Sequence, residues 1–108
     1  MANITLPVAK ISDWPSFHAV SADTFGFPDF YGHNNNAWID CLSYLADDDG
    51  MSSIVLADSE VLFLNLPGFD AFQHRYPDIA AGLVECVDAV NDRYVAGGDI
   101  PRLVLIPQ

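Results

Sequence analysis

The sequence predicts an α/β fold with the element order β-α-α-β-α-α-β, a small, mostly parallel sheet of three strands packed with about four helices. Two continuous apolar runs, Val61 to Leu66 and Leu103 to Ile106, have the length and composition of buried strands. Between them, and before the first, apolar residues recur at helical spacing. A chain of 108 residues is the size of one domain, residues 1–108, and 51% hydrophobic residues are enough for a core without metal or disulfide support.

The elements follow in order. Ile4, Leu6 and Val8 alternate with Thr5 and Pro7, a short first strand whose end Pro7 weakens or places near an edge. Asp13 is a helix cap and Pro15 suits a first turn. Phe17, Val20, Ala22 and Phe25 make the apolar stripe of that helix, and Gly26-Phe27-Pro28 ends it. A turn from Tyr31 leads into a second helix capped by Asn34. There Trp38, Cys41, Leu42 and Leu45 fall on one buried face. Asn36, Asp40, Ser43 and Asp47 fall on the other, with Ile39 beside them. Asp47-Asp48-Asp49-Gly50 stops the helix with charges that oppose its dipole, so a mobile loop is expected. Ile54 to Ala57 reads as a hairpin or loop strand, and Pro67-Gly68 ends the central strand. Phe69 to Tyr76 is a short helix and Pro77 to about Ala96 a long one, with Ile79, Leu83, Cys86, Val87 and Val90 inward. Gly97-Gly98 stops it, and Pro107 closes a final buried strand.

Charge narrows the partners. Four Lys+Arg against 15 Asp+Glu leave a net charge of −11. With no basic patch to release counterions, the balance argues against nucleic acid and anionic membranes as direct ligands. A basic protein is favoured, because opposite charges speed encounter; solubility alone is the other account of the charge. Cys41 and Cys86 sit in apolar patterns and read as two buried thiols, with a disulfide between helices as the alternative. There is no signal-peptide pattern and no membrane-length apolar run, so a cytoplasmic protein is expected.

Catalytic patterns are missing. The chain has no Gly-rich phosphate loop, no G-x-S-x-G elbow and no H-E-x-x-H pair, so no enzyme, metal or cofactor is expected. His18 and His74 read as unpaired surface histidines. His33, in the turn before the second helix, can reach a partner or a substrate. What remains is a surface. Phe30, Asn34, Asn35, Asn36, Ile39, Asp40, Ser43, Tyr44 and Asp47 lie in that turn or along the outward and flanking sides of the second helix. Aromatics, amides and a carboxylate are a hot-spot mixture. The alternative is an ordinary solvated face with Phe30 in the core. Glu85, Asp88 and Asp92 form a second acidic stripe, on the long helix.

The segment Phe27-Pro28-Asp29-Phe30-Tyr31-Gly32-His33-Asn34-Asn35-Asn36-Ala37-Trp38-Ile39-Asp40-Cys41-Leu42 resembles the hallmark of the barstar family of intracellular ribonuclease inhibitors. That hallmark reads roughly apolar-Pro-acidic-aromatic-Tyr-Gly-x-Asn-x-Asp-Ala-x-x-Asp-Cys-Leu. The resemblance implies a barstar-like three-stranded parallel sheet. It also implies an inhibitor, or immunity protein, that places the second helix and its preceding turn in the active-site cleft of a basic, extracellular-type ribonuclease or nuclease toxin. Asp40 then stands in for a substrate phosphate, with Phe30, Asn34, Asn35, Ser43 and Tyr44 as contacts and either Asp88 or Asp92 adding charge. A monomer is expected. Departures from the family are Asn36 for a carboxylate, Ile39 for a tryptophan, His33 for an acidic residue and Leu45 for a second tryptophan. The alternative they leave open is a binding module of the same fold with a non-nuclease partner.

Overall fold

The structure is a computed structural model that describes residues 2–47 and 50–108. Three parallel strands, β1 (Ala2–Thr5), β2 (Leu62–Leu66) and β3 (Leu103–Pro107), form a sheet with β2 in the centre. Ile4 lies opposite Leu64, which lies opposite Leu105. Helices α1 (Trp14–Phe25) and α2 (Asn35–Leu42) precede β2, and α3 (Phe69–Arg75) and α4 (Pro77–Ala96) follow it. The architecture is the α/β arrangement read from the sequence, in the same element order.

Local chemistry explains the helix starts. The Asp13 carboxylate accepts from the Ser16 N–H at 2.8 Å while the Ser16 hydroxyl oxygen accepts from the Asp13 N–H at 3.0 Å. This reciprocal box satisfies donors that a helix leaves unpaired, and Pro15 costs nothing in the first turn. The chain leaves α1 through Gly26 at φ 67°, a conformation a side chain resists.

The core runs through all layers. Trp38, Cys41, Leu42 and Leu45 are buried, as are Ile79, Leu83, Cys86, Val87 and Val90. A side chain at Gly82 would collide with the Trp14 ring, so this glycine lets the start of α1 close onto α4. Burial pushes the Cys86 thiol up to about 11, with Glu85 adding to the effect, so at neutral pH it is a packed thiol and not a thiolate.

Several boundaries differ from the sequence reading. The first strand ends at Thr5, before Pro7. Leu6 and Val8 are buried all the same, because the chain turns into a 3-10 turn (Val8–Lys10) that aims both inward. Ile54 to Ala57 form no strand. Ser53 N–H, just before that segment, donates to the Phe25 carbonyl at the end of α1 at 2.9 Å, and Leu56 N–H within it to the Leu45 carbonyl in the turn after α2 at 2.6 Å. The last strand is buried only in part, since β3 is an edge and Val104 is exposed. In α1 the buried set is Phe17, His18, Ser21 and Phe25, while Val20 and Ala22 are half-buried. The expectation for Asp48 and Asp49 lies outside the described residues.

His18 is the clearest correction. It is not a surface histidine: it is 4% exposed. Its Nδ1 is hydrogen-bonded to the Tyr31 hydroxyl at 2.6 Å, and its ring lies against Trp14 and Phe17. Burial first, and His33 second, pull its pKa below the ordinary value. An unfolded histidine titrates near 6.5, so between that value and the lower folded one the unfolded chain holds more protons (about 6.5 is the reference for a free side chain). This contribution to stability is complete above the unfolded value and is lost as pH falls through the folded one. Urea midpoints of the wild type are expected to drop from pH 7.5 to pH 5. His18→Asn, which keeps a polar atom near Nδ1, is expected to flatten the part of that drop which belongs to this residue. An unchanged pH profile in the variant would remove His18 as the cause.

Candidate partner-binding surface

Helix α2 is short and strongly anchored. The Asn34 Oδ1 accepts from the Ala37 N–H at 2.8 Å and its Nδ2 donates to the Gly32 carbonyl at 3.3 Å. Asn34 therefore caps the helix and braces the turn with both ends of its amide. At the far end the Tyr94 hydroxyl from α4 donates to the Leu42 carbonyl at 2.8 Å and accepts from the Leu45 N–H at 2.9 Å. The first bond satisfies a carbonyl that the helix end leaves free, and α2 ends at Leu42. Leu45 and Asp47 thus lie beyond the helix, and Asp47 is not on the same helical face as Asp40.

The inward stripe leaves a defined outer side. Asn36 and Asp40 are exposed, and Asn35, Ile39 and Ser43 are half-buried at its flanks. Phe30 is 75% exposed, the most open of the large hydrophobic side chains among the described residues, so it is no core residue. Tyr44 is exposed at the other end. Two aromatic side chains therefore stand in solvent at the two ends of α2, a feature with a desolvation cost to recover.

The turn is ordered by rings. His33 adopts φ 52°, an uncommon conformation for a residue with a side chain. Its ring sits 5.0 Å from Tyr31 and 6.3 Å from His18, centroid to centroid. Beside it Trp14, Pro15, His18, His33, Asn34 and Asn35 line an open cavity of about 390 Å³. Three of the sequence-predicted residues, His33, Asn34 and Asn35, are thus brought together with the start of α1.

Asp40 has an intramolecular partner. Arg93, in the last turn of α4, places Nη1 2.5 Å from Asp40 Oδ1 and 3.3 Å from Ser43 Oγ. The Ser43 hydroxyl in turn donates to the Ile39 carbonyl at 2.6 Å. Asp40 faces outward as the sequence predicts, but it is paired there. Asp88 and Asp92 are exposed on α4, and among the described residues neither is hydrogen-bonded to α2. Sequence reasoning missed Arg93 and Tyr94, since both act on α2 from another element. Their only local signal was a basic residue near a helix C-terminus, which the helix dipole already accounts for.

Among the described residues no group of three or more His, Cys, Asp or Glu side chains is placed to hold a metal ion. No helix there is long and apolar enough to cross a membrane. The model of the family described as barstar (barnase inhibitor) matches residues 1–106. A search of curated proteins finds no match. With all but the last two residues covered by that family model, the chain belongs to the barstar family.

Proposed function

We propose that this protein is an inhibitor, of the immunity type, that covers the active site of a basic ribonuclease with α2 and the turn before it. The observation that carries this reading is the outer side of α2: a carboxylate at its middle, exposed aromatics at both ends, and a turn braced at Asn34 and His33. A cleft built for RNA phosphates is cationic, and Asp40 offers it a carboxylate in place of a phosphate. Phe30 and Tyr44 supply the apolar area that anchors an interface, and Asn35, Asn36, Ile39 and Ser43 its surrounding contacts. Asp88 and Asp92 extend the negative field beside it, and the net charge of −11 steers the encounter.

The test uses barnase as the target. Titrating the protein into barnase is expected to abolish RNA cleavage at one inhibitor per enzyme. Asp40→Ala is expected to weaken inhibition by roughly 30-fold or more, the threshold of a hot spot. Asp23→Ala, which removes an exposed carboxylate from α1, is expected to change it little. Association is expected to slow as salt rises. Equal effects of the two substitutions would remove Asp40 as the anchor.

A second reading, a module of the same fold with a non-nuclease partner, is favoured by one observation. The charge of Asp40 is already matched by Arg93. Failure to inhibit barnase, together with failure to inhibit ribonucleases of its own host, would favour it.

A further inference from the structure

The Arg93–Asp40 pair decides more than local charge balance. Of the four Lys and Arg residues, Arg102 is buried, and Arg93 is the one that touches the outer side of α2. Its Nη1 alone makes both bonds, to Asp40 Oδ1 and Ser43 Oγ. The Ser43 hydroxyl proton is committed to the Ile39 carbonyl, so its oxygen is turned into an acceptor. Asp40 and Ser43 thus form a two-oxygen seat for a guanidinium nitrogen, already filled from within. Both charged side chains remain about half exposed, 49% for Arg93 and 54% for Asp40, so the seat is open to exchange. An exposed pair of this kind holds weakly.

We propose that Arg93 is a specificity-determining residue: it occupies Asp40 until an arginine of the partner displaces it. This rests on the reading of α2 as the docking face. The exchange is a competition between cations. Arg93 spends a single nitrogen on a single carboxylate oxygen. An incoming arginine can present its planar fork to both oxygens and win by the second bond, whereas a lysine offers only a point charge. The displaced Arg93 then lies against a basic cleft, which repels it, so a partner without an arginine at that place is rejected. A role in the α4 dipole alone would not require contact with Asp40.

The experiment compares wild type, Arg93→Ala, Asp40→Asn and the double variant, with barnase as the probe and circular dichroism as the check on folding. Arg93→Ala is expected to bind tighter, by up to about fivefold, the range of an exposed pair. Asp40→Asn is expected to cost more in the Arg93→Ala background than in wild type. Equal or weaker binding by Arg93→Ala overturns the proposal. If no variant binds barnase or a ribonuclease of its own host, it is the ribonuclease reading that fails, and hexa-arginine and hexa-lysine peptides become the probes. Arg93→Ala is then expected to gain affinity for hexa-arginine, with the gain smaller for hexa-lysine and abolished by Asp40→Asn. No gain, or a gain that does not depend on Asp40, overturns the gate.

Discussion

Trp38→Ala is expected to remove about 3–5 kcal/mol of stability. A domain of this size holds roughly 5–15 kcal/mol in all, so the variant would sit close to unfolding. Trp38 has no exposed surface. Its ring is stacked on Phe17 at 6.2 Å and meets Phe25 edge-on at 5.8 Å, so one side chain joins α2 to both halves of α1. Truncation leaves a cavity between α1 and α2 that two rigid helices cannot collapse. Trp38→Phe is expected to cost much less. Among the described residues the indole N–H has no hydrogen-bond partner, so phenylalanine keeps an aromatic ring and removes a buried, unsatisfied donor. Urea unfolding of the three proteins checks this. Equal midpoints for the alanine variant and the wild type would sink the assignment of Trp38 as the centre of the α1–α2 contact.

The second large effect is expected at Arg102. Its side chain is 4% exposed and spends its donors across two segments. Nη1 donates to the Ala57 carbonyl at 2.9 Å and the Glu60 carbonyl at 3.0 Å. Nε and Nη2 donate to Asp99 Oδ2 at 3.2 and 2.9 Å. The loop before β2 and the link between α4 and β3 are thus fastened by one cation. Arg102→Ala is expected to cost about 3 kcal/mol, the low end for a broken buried pair. The low end applies because Asp99 is 35% exposed and water can reach it. The pH dependence has a defined sign. The hydrogen bond from Arg102, then one from the Ile100 N–H, hold the Asp99 carboxyl below its usual range. Its contribution is therefore present above the unfolded value of about 3.9 and lost as pH falls through the folded one. In Arg102→Ala the larger part of that acid-side loss is expected to vanish. Urea unfolding at pH 7 and at pH 3 measures both effects. A variant as stable as wild type at pH 7 would mean that the fastening contributes nothing. Inhibition assayed well below the unfolding temperature should survive, since among the described residues the hydrogen bonds of Arg102 go to Ala57, Glu60 and Asp99 and not to α2.

These two residues differ in how visible they were. Trp38 was legible as core because it shares a helical stripe with Cys41 and Leu42, and every member of that stripe is four residues or fewer from the next. The caps at Asp13 and Asn34 were legible for the same reason: each acts on an N–H three residues along. Arg102 was not, because its carbonyl partners lie 42 and 45 residues away. His18 was misplaced because its burial depends on contacts with Tyr31 and Trp14, whereas the apolar stripe ran from Phe17 through Val20 and Ala22. The strand expected at Ile54 to Ala57 was apolar enough to pair, yet Leu56 N–H found the Leu45 carbonyl in the turn after α2, and Ile54 and Ala57 N–H found the Ser52 and Glu60 side chains.

By itself the sequence determined the element order, the buried side of α2, the outward position of Asp40 and Asn36, and the resemblance that names the family. All of these depend on residues close together along the chain, where spacing and capping act directly. The tertiary structure alone decided the state of the surface. Asp40 meets Arg93 only because α2 packs on α4, 53 residues further on. A pattern read along one helix shows which side chains face outward. It cannot show which charge from another helix is waiting there.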